Sequence, residues 1–316
     1  MTFTNMKLFW KLPLLIGLLI TTSSARTILI PRNASDLSAV PAIPTDFGVD
    51  YSPGPGNPLN PYHVLDAFLV ALDKQANRPY NDFVPESEVF FDLGTDTIRI
   101  AVTGHVFPPR TLRVSEAMWG LHECAVSMAA AEISFQPGGC TMYLQAEKIG
   151  FIRVSAARRG PGEDGEMDDN GGGIVPIKQN VSLYARQNNN ESSNTNSSLG
   201  VIPGTSVIIL RGSTETGLNR FIFSIFESLI TIAAITYPRK ENPLVRFEYT
   251  SADQHTKVEL RSEDSLIDVP SMYDMAVSGL VQLVRETSKY GSFTDVDFVV
   301  RYTMTKFFSG SLKVTT

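Results

Sequence analysis

The stretch Val114–Ala156 constrains this chain more than any other. It reads as a helix, a Gly-containing turn and two short strands, and the same order recurs from about Tyr62, Leu218 and Ser271. In the first helix, about Tyr62–Gln75, the residues Val64, Leu65, Phe68, Leu69 and Leu72 return at three- and four-residue spacing. That is the period of one helical face, with His63, Asp66, Asp73 and Lys74 mostly off it. Asn60-Pro61 supplies the cap and first turn. The second helix carries Ala117, Leu121, Cys124, Met128, Ala131 and Phe135, with Ser115 as N-cap and Pro137-Gly138-Gly139 as its stop. The third, about Gly217–Ile235, is the most apolar, and the fourth runs over about Pro270–Thr287.

Each helix is followed by two short segments that alternate apolar and polar residues, as half-buried strands do. These are Val89–Leu93 and Thr97–Thr103, Thr141–Ala146 and Ile149–Ser155, Val245–Thr250 and Thr256–Arg261, Asp295–Thr303 and Lys306–Val314. Glu147-Lys148 reads as the turn of the second hairpin, and Thr27–Pro31 and Ser206–Arg211 as further strands. Helix centres near 70, 123, 226 and 279 place the two halves about 156 residues apart, the regular spacing of an internal duplication. The expectation is an α+β fold of duplicated helix–strand–strand units, its antiparallel sheet or sheets covered by helices on one face.

The linking segments set the domain boundaries. Residues 1–25 hold Lys7 and Lys11, a short apolar run Leu12–Ile20 and the small residues Ser23-Ser24-Ala25, the layout of a secretory signal peptide cut after Ala25. Residues 26–60 are rich in Pro and Gly, and PGPGNP at 53–58 argues against regular structure there. Residues 61–156 form the first half and 205–316 the second. Between them, 157–204 is an acidic Gly-rich and Asn/Ser-rich linker with one strand candidate at Val181–Ala185.

Secretion fixes the covalent expectations. Cys124 and Cys140, the only cysteines, pair most simply as one disulfide in an oxidising compartment. Asn33, Asn180, Asn190 and Asn196 stand in Asn-x-Ser/Thr triplets and are glycan acceptors. Arg158-Arg159, at the start of the Gly-rich linker, is a dibasic site for a processing protease. Without Lys7 and Lys11 the chain has 25 basic against 33 acidic residues, a net charge of −8. That balance speaks against nucleic acid as a partner. The longest apolar run after the leader, Phe221–Ile235, spans about 15 residues and includes Ser224, Glu227 and Ser228, so no membrane span is expected in the mature chain.

Chemistry is harder to read. His63, His105, His122 and His255 lie in different units without metal-ligand spacing, and Leu121-His122-Glu123 is followed by Ser127 where a zinc motif needs its second histidine. The histidines read as polar-face residues. No GxSxG is present. The acidic run Asp164–Asn170 resembles half of a calcium loop but has Asp169 and Val175 where the loop needs Gly and Glu. Asp92/Asp96 and Glu116/Glu123 are nominal carboxylate pairs for glycoside hydrolysis. No catalytic residue, metal or cofactor is assigned. The leading reading is a secreted glycoprotein that binds an extracellular protein, glycan or small ligand. The other is a secreted, carboxylate-based hydrolase of glycans. A small-ligand carrier would line its cavity with Trp119, Phe221 and Phe226, which otherwise belong to the core.

Overall fold

The computed structural model describes residues 44–315 apart from 86, 94, 105–111, 158–201, 238–243, 245, 252–253 and 264–271. Residues 1–25, expected to be a leader, the four asparagines expected to accept glycans, Arg158-Arg159, His105, Asp164–Asn170 and the strand candidates at 27–31 and 181–185 lie outside the described residues. The first half runs β1 (Phe47–Pro53), α1 (Pro61–Ala76), β2 (Ser87–Phe91), β3 (Ile98–Gly104), α2 (Val114–Ala130), β4 (Gly138–Leu144) and β5 (Glu147–Ala156). The second runs β6 (Thr205–Glu215), α3 (Leu218–Thr236), β7 (Arg246–Thr250), β8 (Thr256–Ser262), α4 (Met272–Ser288), β9 (Thr294–Tyr302) and β10 (Thr305–Val314).

The duplication is topological. The first sheet has the order β1-β4-β5-β3-β2 and the second β6-β9-β10-β8-β7, the same permutation five strands on. All pairs are antiparallel. Helix α3 starts 157 residues after α1, at 218 against 61, and α4 starts 158 after α2, at 272 against 114. Among the described residues there are two separate sheets, one per half.

Helices α1 and α2 pack on the first sheet, α3 and α4 on the second, and the halves meet helix to helix through α1–α3, α2–α3 and α1–α4. The order of layers is therefore sheet, helices, helices, sheet. This explains why α1 departs from its amphipathic pattern. Asp66 and Asp73, off the apolar face, are 2 % and 0 % exposed because the second half covers that side too. One continuous core results, with Phe68, Leu72, Phe221 and Phe226 fully buried. Each such side chain contributes about 1.5–3 kcal/mol of transfer free energy. Gly120 of α2 and Gly279 of α4 let helix and sheet approach closely: a Cβ would sit 2.1 Å from Met142 Sδ and 2.6 Å from Val300 Cγ2.

Five local readings need correction. Phe47–Pro53 is a strand inside the Pro/Gly-rich segment, held by β4 from Phe47↔Leu144 to Pro53↔Gly138. Helix α2 ends at Ala130, because Ala131 turns to extended backbone (φ −62°, ψ 154°) and Phe135 is buried from a left-handed loop position, φ 56°. Its cap is Arg113, whose N–H donates to Glu116 Oε2 at 2.9 Å, rather than Ser115. The turn between β4 and β5 is Gln145-Ala146, both left-handed, so Gly138-Gly139 and Glu147-Lys148 belong to strands. Last, Leu218–Ile235 of α3 is an 18-residue stretch apolar enough to reach membrane-span length, longer than the run of about 15 residues from Phe221. In this fold α3 packs against the other three helices and against β7 and β8.

The disulfide joins Cys124 of α2 to Cys140 of β4, with Cα atoms 5.8 Å apart and both residues fully buried. It staples helix to sheet within the first half.

Candidate functional site

Two regions gather groups able to do something beyond holding the core: the polar seam between the helix layers, and the open edge of the second sheet.

In one part of the seam, α1 brings Tyr62, Asp66 and Asp73 toward α4, and His63 toward the β2–β3 turn. Asp92, in the turn between β2 and β3, accepts from the Ile98 N–H at 2.7 Å, from Thr97 Oγ1 at 2.9 Å and from Thr95 Oγ1. Burial alone would raise its pKa; those donors outweigh it and hold the carboxyl below its ordinary value. His63 Nδ1 lies 3.0 Å from Asp92 Oδ2, with the ring about a quarter exposed. Asp66 Oδ2 accepts from the Leu93 N–H at 2.7 Å, while Asp66 Oδ1 has no hydrogen-bond partner among the described residues. Burial pushes the Asp66 carboxyl up. Tyr62 Oη donates to Ser288 Oγ of the other half at 2.8 Å. Arg285 of α4 acts on Asp66 and Asp73 at longer range, and its Nε is likewise buried without a hydrogen-bond partner among the described residues.

Asp73 gives this region a test. Burial raises its pKa to about 6, against weaker pulls from Arg285, Lys74 and Asn77. Its stability contribution is present below the ordinary aspartate pKa near 3.8 and is lost as pH rises through about 6. At neutral pH the chain carries a buried carboxylate at a cost of roughly 3 kcal/mol. Asp73→Asn is expected to stabilise by about 1–3 kcal/mol at pH 7 and to bring no gain at pH 4. Urea unfolding at both pH values reads this directly, and equal effects at the two would refute it.

In another part of the seam, His122 of α2 is 6 % exposed, which corrects its reading as a polar-face residue. Its Nδ1 is 3.1 Å from Glu123 Oε1, and its Nε2 is 3.3 Å from Glu227 Oε1 of α3, an ion pair that makes no hydrogen bond at Nε2. Tyr249 Oη of β7 donates to Glu227 Oε2 at 2.5 Å. Trp119 packs edge-on to the His122 ring and donates its Nε1–H to Tyr80 Oη at 3.2 Å; Phe223 covers the other side. Burial alone would lower the His122 pKa, but the two glutamates outweigh it and push it up to about 9. The imidazolium is thus clamped across the seam, a cross-half tie.

The carboxylate pairs do not face one another. Asp92 is buried and engaged in its turn while Asp96 is exposed with φ 47°, and Glu116 caps α2 while Glu123 holds His122. Trp119, Phe221 and Phe226 are 7 %, 0 % and 0 % exposed, packed in the core rather than lining a cavity. Among the described residues no group of three or more His, Cys, Asp or Glu side chains is placed to hold a metal ion.

The open edge was not read from the sequence. Among the described residues the exposed large apolar side chains are Phe83, Ile133, Ile208, Leu210, Tyr290 and Met304. Four of them gather along β6. Ile208 and Leu210, 40 % and 61 % exposed, point to the solvent face of the strand. Met304 lies in the β9–β10 turn, whose Thr303 N–H donates to Gly204 O at 2.9 Å, beside the start of β6. Tyr290 lies under the Arg211 guanidinium at the far end, 4.0 Å from ring centre to Cζ. The signal for it was the run Val207-Ile-Ile-Leu210, apolar on both faces where a one-sided strand would alternate.

No family model, curated protein or solved structure matches this chain.

Proposed function

We propose that this is a secreted glycoprotein that acts by binding an extracellular protein, and that the β6 edge is where it binds. The observation that carries the reading is the exposed pair Ile208 and Leu210 on the solvent face of an edge strand, with Met304 near one end of that strand and Tyr290 under Arg211 near the other. Edge strands present unpaired backbone donors and acceptors, and exposed apolar patches beside them mark contact surfaces. Protein strands satisfy both needs at once, through backbone pairing and alternate side chains. The basic-then-apolar leader and the Cys124–Cys140 bridge support an oxidising, extracellular setting.

Two measurements test the reading. The chain secreted from a eukaryotic host is expected to begin at Arg26; a retained leader would remove the compartment. A photo-cross-linking residue at Leu210 is expected to capture protein from extracellular fluid, and the same residue at Ile133 is not. The Leu210 adduct should disappear when Ile208→Asp is added. Equal capture at both positions, or capture that survives Ile208→Asp, would overturn the β6 surface.

A further inference from the structure

We propose that the occupant of the β6 edge is a second copy of this chain, paired β6 to β6 antiparallel about a two-fold axis through Ile209. This rests on the proposed role of that edge and names its partner.

The two sheets present four edge strands, β1, β2, β6 and β7. Strand β1 has seven residues, with Asp50 on its solvent side and Pro53 at its end. Strand β2 has five residues. Strand β7, also five, carries Arg246 and Glu248, which form an ion-pair ladder with Lys257, Glu259 and Arg261 of β8. Short length, charge and proline are the devices that keep edges from pairing. Strand β6 has eleven residues and no charge from Thr205 to Leu210. It alone lacks the protection its counterparts have.

Self-complementarity selects the second copy. With Ile209 on the axis, Ile208 of each copy stands opposite Leu210 of the other on the solvent face, a four-residue aliphatic cluster. Val207 stands opposite Arg211, whose guanidinium already stacks on Tyr290. The charges agree with this register. Arg301 of β9 is the neighbour of Ser206 on the solvent face, and its Nε has no hydrogen-bond partner among the described residues. Asp295 folds over Gly212, where a Cβ would sit 2.0 Å from Oδ1, and accepts from the Thr214 N–H at 2.8 Å. At the end of the regular pairing the two-fold brings Ser206 beside Gly212, small residues that lie between Arg301 and the second copy's Asp295. Symmetry makes the contact twice. The regular β6 register ends at Arg211, where the pairing with β9 shifts, so the contact is short and the dimer belongs with the weak, concentration-dependent interfaces.

Light scattering after size exclusion, over about a hundredfold range of concentration, tests the proposal on the full secreted chain. The expected result is a monomer that becomes a dimer as concentration rises. Leu210→Lys, at a position exposed in the monomer, should weaken the dimer at least about tenfold, an edge-charge effect. Arg301→Glu and Asp295→Arg should each weaken it, and the double exchange should restore it. A monomer at the highest concentration, or a dimer indifferent to Leu210→Lys, overturns the proposal. Hydrogen exchange of the amides of 206–211 separates its failure from that of the binding role. Fast exchange in a chain that stays monomeric sinks the self-pairing alone. Full protection in the monomer means the chain covers its own edge, and both readings fall.

Discussion

Glu227→Ala is expected to destabilise the protein by about 3 kcal/mol at neutral pH, the low end of what breaking a buried ion pair costs. The reason is what it leaves behind. His122 keeps Glu123 but loses the carboxylate from the other half, and Tyr249 loses its acceptor. Glu123, with a side chain 35 % exposed, is the control: Glu123→Ala should cost about 1 kcal/mol or less, because water screens and replaces it. The same clamp sets a pH dependence. A His122 pKa near 9 in the folded chain, against about 6.5 unfolded, contributes stability fully present below pH 6.5. It is lost as pH rises through 9, a change of roughly 3 kcal/mol for a shift of this size. Chemical unfolding from pH 6 to 10 should show that decline in the wild type and a flatter profile in His122→Leu. Parallel profiles would mean that the proton is not held at this site.

Cys140→Ser, or the double Cys124→Ser/Cys140→Ser variant, carries the second large effect. A bridge closing a loop of this length removes about 3 kcal/mol of unfolded-state entropy. The loss enters through the first half, which holds both cysteines, and reaches the second through the shared core. Trp119 sits next to His122 on the bridged helix and reports the first half by fluorescence. Its transition should move to lower denaturant in the variants. Coincident, unshifted transitions in reduced and oxidised protein would show that the bridge adds nothing.

The parts of this fold that local pattern dictates were legible in the sequence. Four helices follow from apolar residues at helical spacing and four hairpins from alternation, and counting residues between them exposes the repeat. Two cysteines sixteen apart suffice for the bridge. What escaped depends on partners distant in the chain. Strand β1 offers only Phe47, Val49 and Tyr51 to the core side and is bracketed by Pro and Gly, so β4 defines it more than its own residues do. The α2 stripe continues on paper through Ala131 to Phe135, yet the chain leaves the helix at Ala131 and still buries Phe135. Gln145-Ala146 adopts a left-handed turn without Gly, Asn or Asp to announce it. Asp66, Asp73 and His122 looked solvent-facing because nothing local says that a second helix layer covers them. The His122–Glu227 clamp bridges residues 105 apart in sequence, beyond the reach of any motif.

The sheet–helices–helices–sheet order also has a consequence for synthesis. By the time Ala156 has left the ribosome the first sheet is complete, but the side of α1 and α2 that α3 and α4 will cover is bare. The last covering helix ends at Ser288, 132 residues later. At ordinary translation rates that is on the order of ten seconds during which a half-finished molecule displays apolar surface to its surroundings. A chain built this way is most open to association between its halves, before α3 and α4 arrive, rather than at its end.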